Sequence, residues 1–420
     1  MAVRLGVIAD DFTGATDIAG FLVANGLRTV QLTGVPAEGT TVPKDADAVV
    51  ISLKSRSIPA QEAVSVSLAA LRFLQAQGAE RFYFKYCSTF DSTPAGNIGP
   101  VTDALLGALG EDFTVICPSL PVNGRTTYRG YLFVEDVPLH ESGMSNHPIT
   151  PMTDSNVMRL MDAQAQGSTG NVQAAVIAQG PAAVREALTA LRTEGYRYAV
   201  LDTITEADLD VLGQAVADYP LVTGGSGLGA GLARALSGAT GAHTTAWQER
   251  DGRTVVLSGS SSVMTNQQVA AYREAASSLA VNVDQLVAVP EDYRQQILQW
   301  VLDQPTDGPA PLVSATASPE EVSRLQEAHG AHEVSEAIEG MFGWLASALA
   351  DRGVRRFIVA GGETSGAVTT ALGVTGFEVG PQIAPGVPWV RSISSDIDLA
   401  LKSGNFGDVD FFSLAQAPRH

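Results

Sequence analysis

Apolar runs and helical patterns alternate along this chain, and that alternation restricts the fold more than any other feature of the sequence. Residues 4–9 form a nearly continuous apolar run, and residues 13–24 then show helical spacing with Gly26 just beyond. An apolar run without polar alternation is typical of a parallel strand covered on both faces, and the glycine is typical of a helix end. The strand pattern recurs at residues 48–53, 81–87, 113–117, 172–178 and 199–204, with helical stretches at 60–76 and 181–192.

A polar stretch at residues 243–253 interrupts this pattern, and we place a domain boundary near residue 245. After it, strands are predicted at residues 254–257, 312–315 and 357–360, and helices at 265–276 and 334–349. The sequence therefore predicts an α/β fold with two doubly wound domains, residues 1–245 and 246–420, each built on a mainly parallel sheet. The expected active site is the cleft between the two domains.

Composition narrows the class of ligand. The net charge of −19 disfavours nucleic acid and anionic membranes as partners, because phosphate backbones are bound by clustered Lys and Arg. A small anion remains compatible, since a few local cations suffice to hold it. Cys87 and Cys117 end apolar runs and are expected to be reduced thiols, and no stretch resembles a signal peptide or a spanning helix, so we expect a cytoplasmic protein. The sequence leaves the oligomeric state open, a homodimer included.

The segment Ala-Asp-Asp-Phe-Thr-Gly-Ala at residues 9–15 is the strongest local signal of the first half. It puts Asp10 and Asp11 at the carboxyl end of the first predicted strand, where open α/β sheets bind ligands. One carboxylate could accept hydrogen bonds from substrate hydroxyls or take a proton during phosphoryl transfer. Helix capping by Asp11 or Thr13 is the structural alternative, and spacing alone does not separate it from a functional role.

Cations follow the next strands. Arg56 comes after the run at 48–53, and Lys85 lies within an aromatic-rich strand where an unpaired charge is expensive to bury. Lys85 therefore requires an acidic partner, such as Asp10 or Asp91, or an anionic ligand. In the functional interpretation, Arg56 and Lys85 clamp a substrate carboxylate while hydroxyl groups beside them read substrate hydroxyls.

Two further segments of the first half are polar or rich in glycine. Arg125 lies in a donor-rich loop, residues 123–130, and either helps to hold the acid or is solvated. Residues 223–230 imitate a dinucleotide-binding turn, but no acidic strand follows to bind a ribose, so the signal is weak. His140 and His147 lack a third ligand at metal spacing, so no zinc site is predicted.

Three turns rich in glycine and serine follow predicted strands in the second half, at residues 257–262, 360–366 and 402–407. Backbone N–H groups and hydroxyls in such turns suit a phosphate chain, and Glu363 is a possible ligand for Mg²⁺ or for a nucleotide hydroxyl. Each turn alone is more often an ordinary strand-to-helix connection. Three in one domain favour nucleotide binding, although the chain has no P-loop signature.

Together these strings resemble the four-carbon acid sugar kinase family, and within it the branch acting on 3-oxo-tetronates. The resemblance runs essentially from end to end and is carried by long, dispersed motifs. These are IADDFTGATDIA, KSR, FKYCSTFDSTPAGNIGP, NGRTTYRGYLFV, ESGMSNHPITPMTD, VTGGSGLG, LSGSSSVMTNQQ, AGGETSGAV and LKSGNFG.

The resemblance implies a sugar-acid-binding first domain, a nucleotide-binding second domain and transfer of phosphate from ATP to the C4 hydroxyl of a 3-oxo-tetronate, with Mg²⁺ assisting. It implies that ATP contacts Ser258, Gly361, Gly362, Glu363, Thr364, Ser365 and Gly404. It implies that the substrate meets Asp10, Asp11, Arg56, Lys85 and Ser88, and an aspartate of the pair is our candidate proton acceptor. The metal ligands stay open. The alternatives are a threonate or erythronate kinase of the same family and, with less support, an NAD-dependent dehydrogenase.

Overall fold

The structure is a computed structural model, and the chain separates into two compact units, residues 1–244 and 245–420. The predicted boundary near residue 245 lies outside the described residues. The residues described are 3–37, 39–146, 150–238, 247–248, 250–402 and 404–417.

The first unit is built on a sheet whose paired strands all run parallel. Its strands are β1 (Leu5–Ala9), β2 (Thr29–Thr33), β3 (Ala48–Ser52), β4 (Phe82–Lys85), β5 (Thr114–Cys117), β9 (Thr169–Val172), β10 (Tyr198–Leu201) and β11 (Leu221–Gly224). Their order across the sheet is β2-β3-β1-β4-β11-β5-β10-β9. A smaller antiparallel sheet is inserted after β5, with strands β6 (Arg125–Tyr128), β7 (Tyr131–Val134) and β8 (Val137–Pro138).

Helices connect the parallel strands, as the sequence predicts. They are α1 (Phe12–Ala24), α2 (Ala60–Ala76), α3 (Ile98–Leu109), α4 (Val157–Asp162), α5 (Ala174–Ile177), α6 (Pro181–Thr193), α7 (Glu206–Val216) and α8 (Ser226–Ser237), with short 3₁₀ turns at Pro121–Asn123, Leu139–Glu141 and Gly143–Asn146. Every residue of β1 and β3 is buried, which explains why these strands read as continuous apolar runs.

Strand order in the first unit reverses at β1. The chain passes from β1 to β2 and β3 on one side, and then crosses to β4 on the other side of β1. Connections that leave in opposite directions open a crevice at the carboxyl ends of the two neighbouring strands, where α/β proteins bind ligands. The carboxyl ends of β1 and β4 are therefore the expected ligand position of this unit.

The second unit repeats this plan with a mixed sheet. Its strands are β12 (Arg253–Ser258), β13 (Ser278–Ala280), β14 (Leu312–Ser314), β15 (Val354–Ala360), β16 (Gly376–Ala384), β17 (Val387–Ser392) and β18 (Asp398–Lys402). Their order is β13-β14-β12-β15-β18-β17-β16, with β16 and β17 antiparallel to their neighbours and the reversal between β12 and β15. Its helices are α9 (Val263–Arg273), α10 (Val283–Ala288), α11 (Pro290–Asp303), α12 (Pro319–His329), α13 (Ala331–Ala350), α14 (Gly362–Ala371) and α15 (Phe411–Leu414).

Both units agree with the predicted α/β class, and one element differs in type. Residues 172–178 were expected to form a strand, but the strand ends at Val172 and Ala174–Ile177 form a short helix. Only Ile177 of this helix is buried, so the apolar run does not cross the sheet. Both cysteines are free thiols, as predicted. None of the described helices is long and apolar enough to cross a membrane.

Candidate active site

Asp10 and Arg56 are joined at the carboxyl ends of β1 and β3. The Asp10 carbonyl accepts hydrogen bonds from the backbone N–H groups of Ser55 and Arg56, at 2.9 and 3.2 Å. The Arg56 side chain donates from Nε to Asp10 Oδ2 and from Nη2 to Asp10 Oδ1, both at 2.8 Å. This bidentate pair fixes the guanidinium at the strand ends and leaves its Nη1 edge 4.0 Å from Asp91 Oδ2.

Asp11 caps helix α1, so the structural interpretation of this residue is confirmed. Its Oδ1 accepts from the Gly14 N–H at 3.1 Å and from Arg56 Nη2 at 2.5 Å. Both bonds use the same oxygen, and Oδ2 has no hydrogen-bond partner among the described residues. The Asp11 side chain is 28% exposed, whereas that of Asp10 is 6% exposed. Of the two carboxylates, Asp11 is therefore the one open to a ligand.

Burial and ion pairing act against each other in this cluster. Burial raises the pKa of Asp10, and the hydrogen bonds and charge of Arg56 oppose that rise. Burial works to lower the pKa of Arg56, but the hydrogen bond and charge of Asp10 outweigh it and raise that pKa. The guanidinium therefore stays charged at the strand ends.

Lys85 is the last residue of β4 and is 3% exposed. Its Nζ donates to the Tyr86 carbonyl at 2.7 Å, and neither Asp10 nor Asp91 forms an ion pair with it within 4 Å in the described part of the chain. A side chain at Gly14 would place Cβ 2.9 Å from this Nζ and against Asp11 Oδ1. Glycine at position 14 is thus what lets the ammonium approach the start of α1.

Asp17 lies one helical turn beyond Gly14 on α1 and was not predicted from the sequence. Its Oδ2 accepts from Ser226 Oγ at 2.5 Å. Burial raises the pKa of Asp17, and the nearby charge of Lys85 is the largest opposing influence. An acid three residues from Gly14 in an otherwise apolar helix was the available signal, since residues at that spacing share a helix face.

Asn97 also escaped the sequence analysis. Its Nδ2 donates to the carbonyl oxygens of Ser55, Arg56 and Ile58, at 2.7, 3.2 and 2.8 Å. The side chain is 8% exposed and lies just before α3. It therefore holds the loop that carries Arg56, although only a single Asn in a polar stretch marked it in the sequence.

The two other residues predicted to bind the substrate, Ser88 and Arg125, belong to different parts of the first unit. Ser88 is half-buried in the turn after β4, beside Phe90, whose φ of 51° lies in the left-handed region that bulky residues avoid. Arg125 starts β6 in the small sheet and donates to the Asn123 carbonyl. Ser88 thus follows the strand that carries Lys85, whereas Arg125 belongs to a different sheet.

The dinucleotide-like turn is filled by protein backbone. A Cβ at Gly224 would lie 2.5 Å from the Cys117 carbonyl oxygen, and one at Gly227 would lie 2.5 Å from the Ser119 carbonyl oxygen. Gly225 is equally close to the Pro118 carbonyl. These glycines allow the start of α8 to pack against the segment after β5, which accounts for the motif without a nucleotide.

In the second unit, three glycine-rich turns begin side by side. Ser258, Ala360 and Lys402 are the last residues of β12, β15 and β18, and they are register partners across the sheet. The Gly259 N–H donates to the Ala360 carbonyl at 3.0 Å, and the Gly361 N–H donates to the Lys402 carbonyl at 2.9 Å. The predicted nucleotide-binding residues are therefore brought together at one edge of this sheet.

Glycine is required where these turns meet. Gly361 has φ of 122°, a conformation that residues with a side chain rarely adopt. A Cβ at Gly404 would lie 2.6 Å from Ser260 Oγ and 2.8 Å from Ser262 Cβ. Glycine at position 404 consequently lets the backbone of the third turn pack against the side chains of Ser260 and Ser262.

The start of α14 presents unsatisfied donors between these turns. No side chain caps this helix, so the N–H groups of Gly362, Glu363 and Thr364 have no intrahelical acceptor. Ser365 is 5% exposed, and its hydroxyl has no hydrogen-bond partner in the described part of the structure. Helix α9, in contrast, is capped by Ser262 Oγ. Donors and a buried hydroxyl of this kind fit a phosphate chain.

Ser258 and Glu363, which were also predicted to bind the nucleotide, lie at the same edge of this sheet. Ser258 is fully buried, and its hydroxyl lies 2.7 Å from Thr316 Oγ1. Glu363 is exposed at the first turn of α14. Among the described residues, no group of three or more His, Cys, Asp or Glu side chains could hold a metal ion. Mg²⁺ commonly binds through one or two carboxylates together with substrate phosphates, and a nucleotide-borne ion is compatible with this arrangement.

The resemblance stated above implies that Gly361 contacts ATP. On that basis, replacing Gly361 with alanine is expected to raise KM for ATP at least about tenfold, because the alanine is strained by more than 1 kcal/mol at this φ and shifts the turn. KM for the acid should stay unchanged. Gly366→Ala is the matched control, since a Cβ at Gly366 meets no atom within 4 Å. Steady-state kinetics with each substrate varied in turn will check this, and equal behaviour of the two variants would contradict it.

Comparison with known proteins assigns the family. Residues 5–232 match the sugar-binding N-terminal domain family, and residues 255–412 match the nucleotide-binding C-terminal domain family. The 3-oxo-tetronate kinase of Brucella melitensis is 59% identical over 99% of this chain and 95% of its own length. That of Haemophilus influenzae is 57% identical over 98% of this chain and 99% of its own length. A crystal structure of a Haemophilus influenzae protein, 57% identical, matches with a TM-score of 0.92 over 98% of this chain and 99% of that one. The chain therefore belongs to the four-carbon acid sugar kinase family, in the branch of the 3-oxo-tetronate kinases.

Proposed function

We propose that this protein transfers the γ-phosphoryl group of ATP to the C4 hydroxyl of a 3-oxo-tetronate, giving the 4-phosphate and ADP. One observation carries the proposal beyond the relatives' names. Each unit has its polar cluster at the carboxyl ends of strands where the strand order reverses. The cluster of the first unit contains fixed cations, and that of the second contains backbone donors and a buried hydroxyl that has no hydrogen-bond partner among the described residues. The first suits a small carboxylate, and the second suits a triphosphate.

Arg56 and Lys85 bind the substrate carboxylate in this proposal. Asp10 occupies the Nε and Nη2 positions of Arg56, so the Nη1 edge is the part that faces the substrate. Lys85 adds a second positive charge at the end of the neighbouring strand. Ser88 contributes a hydroxyl from the turn that follows, and Arg125 assists from the small sheet. The net charge of −19 makes these local cations the decisive attraction for an anion.

The two aspartates have different roles. Asp10 holds Arg56 with both carboxylate oxygens and is a positioning residue. The C4 hydroxyl oxygen of the substrate attacks the γ-phosphorus, and the bond from phosphorus to the ADP oxygen breaks. Asp11 Oδ2 accepts the proton that the hydroxyl loses. Its Oδ1 stays bonded to the Gly14 N–H and to Arg56, which keeps the carboxylate oriented.

The three turns of the second unit bind the nucleotide. The N–H groups at Gly362, Glu363 and Thr364 donate to phosphate oxygens, and the Ser365 hydroxyl, which has no partner in the described ranges, donates to a phosphate oxygen as well. Gly404 lets the third turn approach closely, and Ser258 shapes the end of β12. Mg²⁺ bound to the phosphates would neutralise charge in the transition state. Because the phosphate donor is ATP, we place the enzyme in the cytoplasm.

An ADP-release screen tests this function. The purified full-length chain, supplied with ATP and Mg²⁺, is expected to release ADP with 3-oxo-tetronates at least about tenfold faster than with threonate or erythronate, because relatives 57–59% identical over nearly the whole chain are 3-oxo-tetronate kinases. Detection of the 4-phosphate by mass spectrometry identifies the acceptor oxygen. Faster turnover of threonate would assign the protein to the other branch, and absence of ADP release with every acid would reject the kinase.

A further inference from the structure

The lysines of this chain fall into two classes. Lys44 and Lys54 are exposed, whereas Lys85 and Lys402 are 3% and 1% exposed. Each buried lysine is the last residue of a strand near the reversal of strand order in its unit. Lys85 ends β4, next to β1, and Lys402 ends β18, one strand beyond the β12–β15 pair. Each also donates to a main-chain carbonyl, Lys85 to Tyr86 at 2.7 Å and Lys402 to Gly404 at 3.0 Å. The nucleotide-binding unit thus has a structural counterpart of the substrate-binding lysine.

Lys402 contacts all three glycine-rich turns or the elements that follow them. Its Nζ donates to Thr265 Oγ1 at 2.9 Å, in the first turn of α9. Thr265 Oγ1 in turn donates to the Gly404 carbonyl at 2.7 Å. The main-chain carbonyl of Lys402 accepts from the Gly361 N–H at 2.9 Å. One residue therefore ties together the turns after β12, β15 and β18.

The buried environment of the Lys402 ammonium group strengthens the interaction of its charge with a nearby anion. Burial lowers the pKa of Lys402 to about 8, because the charged form loses its hydration. Nζ also lies 5.9 Å from the centre of the Phe411 ring. A charge in such a site acts through a lower dielectric than a charge in water, so an anion held at the turns interacts with it more strongly.

We propose that Lys402 is a further determinant of nucleotide binding, whose ammonium group fixes the Gly404 turn and attracts the phosphate chain of ATP. The proposal rests on the function given above and adds a residue to it. A lysine acts on phosphate as a point charge, so its contribution grows with the charge of the phosphate chain. A purely structural residue would instead affect every adenine nucleotide alike.

Calorimetric titration of Lys402→Met with ATP, ADP and AMP separates these roles. We expect ATP affinity to fall by about 30-fold or more, ADP affinity by less and AMP affinity by no more than about threefold, as removal of a charge-assisted contact predicts. KM for the acid should be unchanged. Thr265→Val keeps the charge but breaks the bond to the Gly404 carbonyl, so it should weaken binding of all three nucleotides by the same factor, no more than about threefold. Lys54→Met, at an exposed site, should match the wild type.

Two results would overturn the proposal: unchanged ATP affinity in Lys402→Met, or equal losses for ATP and AMP. If Lys402→Met does not fold, Lys402→Arg is the deciding variant, because it keeps the positive charge. Its ratio of ATP affinity to AMP affinity should stay within about threefold of wild type. Collapse of this ratio would overturn the role of the charge. Wild-type protein that neither binds ATP nor releases ADP would instead reject the proposed kinase. The two failures are therefore distinguishable.

Discussion

Replacing Asp11 with asparagine is expected to lower kcat by about 10³-fold, as loss of a general base does, while ATP affinity stays within about threefold of wild type. Asparagine keeps an oxygen at the Oδ1 position, so it can still accept from the Gly14 N–H and cap α1. What it loses is the basic carboxylate that, in the proposed mechanism, takes the proton of the attacking hydroxyl. The helix and its loop should therefore persist while chemistry fails.

Asp10→Asn is the matched control for this variant. It removes the charge that faces Arg56 but leaves Asp11 in place, so we expect a rise of about tenfold or more in KM for the acid and a smaller fall in kcat. Single-turnover measurements with saturating acid isolate the chemical step. Near-normal kcat in Asp11→Asn, or a larger loss of kcat in Asp10→Asn, would contradict the assigned roles.

The local character of the strand ends explains why much of this site could be predicted from the sequence. A carboxyl-terminal strand end is recognisable from an apolar run that stops at polar residues, and parallel strands bring such ends to one edge. Asp10 and Arg56 follow β1 and β3, and Lys85 ends the neighbouring strand β4, while Gly361 and Gly404 follow two strands of the second unit. The order of strands did not need to be known for the residues to be singled out.

Partners distant in sequence account for what was missed. Asn97 holds a loop about 40 residues earlier in the chain, and Asp17 is bonded to Ser226, 209 residues away. The local sequence around Asn97 and Asp17 does not predict contacts with residues so far away in the chain. The turn around Gly224, Gly225 and Gly227 imitated a dinucleotide-binding turn only weakly, and the backbone that fills the space beside these glycines comes from distant residues, 117–119. Lys402, like Lys85, ends an apolar run. It was not singled out, because the glycines that follow it indicated a turn.

The short helix at Ala174–Ile177 shows a second limit. Its sequence is as apolar as a strand, and length and periodicity cannot separate the two over four residues. Tertiary context decides here: β9 already ends at Val172, and the Ala174 N–H donates to the buried Asp202 carboxylate at 3.1 Å. That carboxylate also accepts from the N–H groups of Arg129 and Gly130, so it organises the turn between β6 and β7 as well.

Arg56→Met is expected to lower the free energy of unfolding of the first unit by about 3–5 kcal/mol at neutral pH, because it leaves the Asp10 carboxylate buried without its partner. The loss should shrink as the pH falls. Burial already raises the pKa of Asp10 in the folded protein, and a protonated Asp10 needs no cation, so wild type and variant converge once the pH drops below that pKa.

The two units allow an internal reference for this measurement. All four tryptophans lie between residues 247 and 389, so their fluorescence reports the second unit and should be unchanged in Arg56→Met. Hydrogen exchange at the amides of β1 and β3 reports the first unit and should show the loss of protection. The double variant Asp10→Asn with Arg56→Met removes both charges and should recover at least about half of the lost stability, since it is the isolated buried charge that destabilises. A double variant no more stable than Arg56→Met would show that the unpaired charge of Asp10 is not the cause of the loss, which would then come from the missing Arg56 side chain itself.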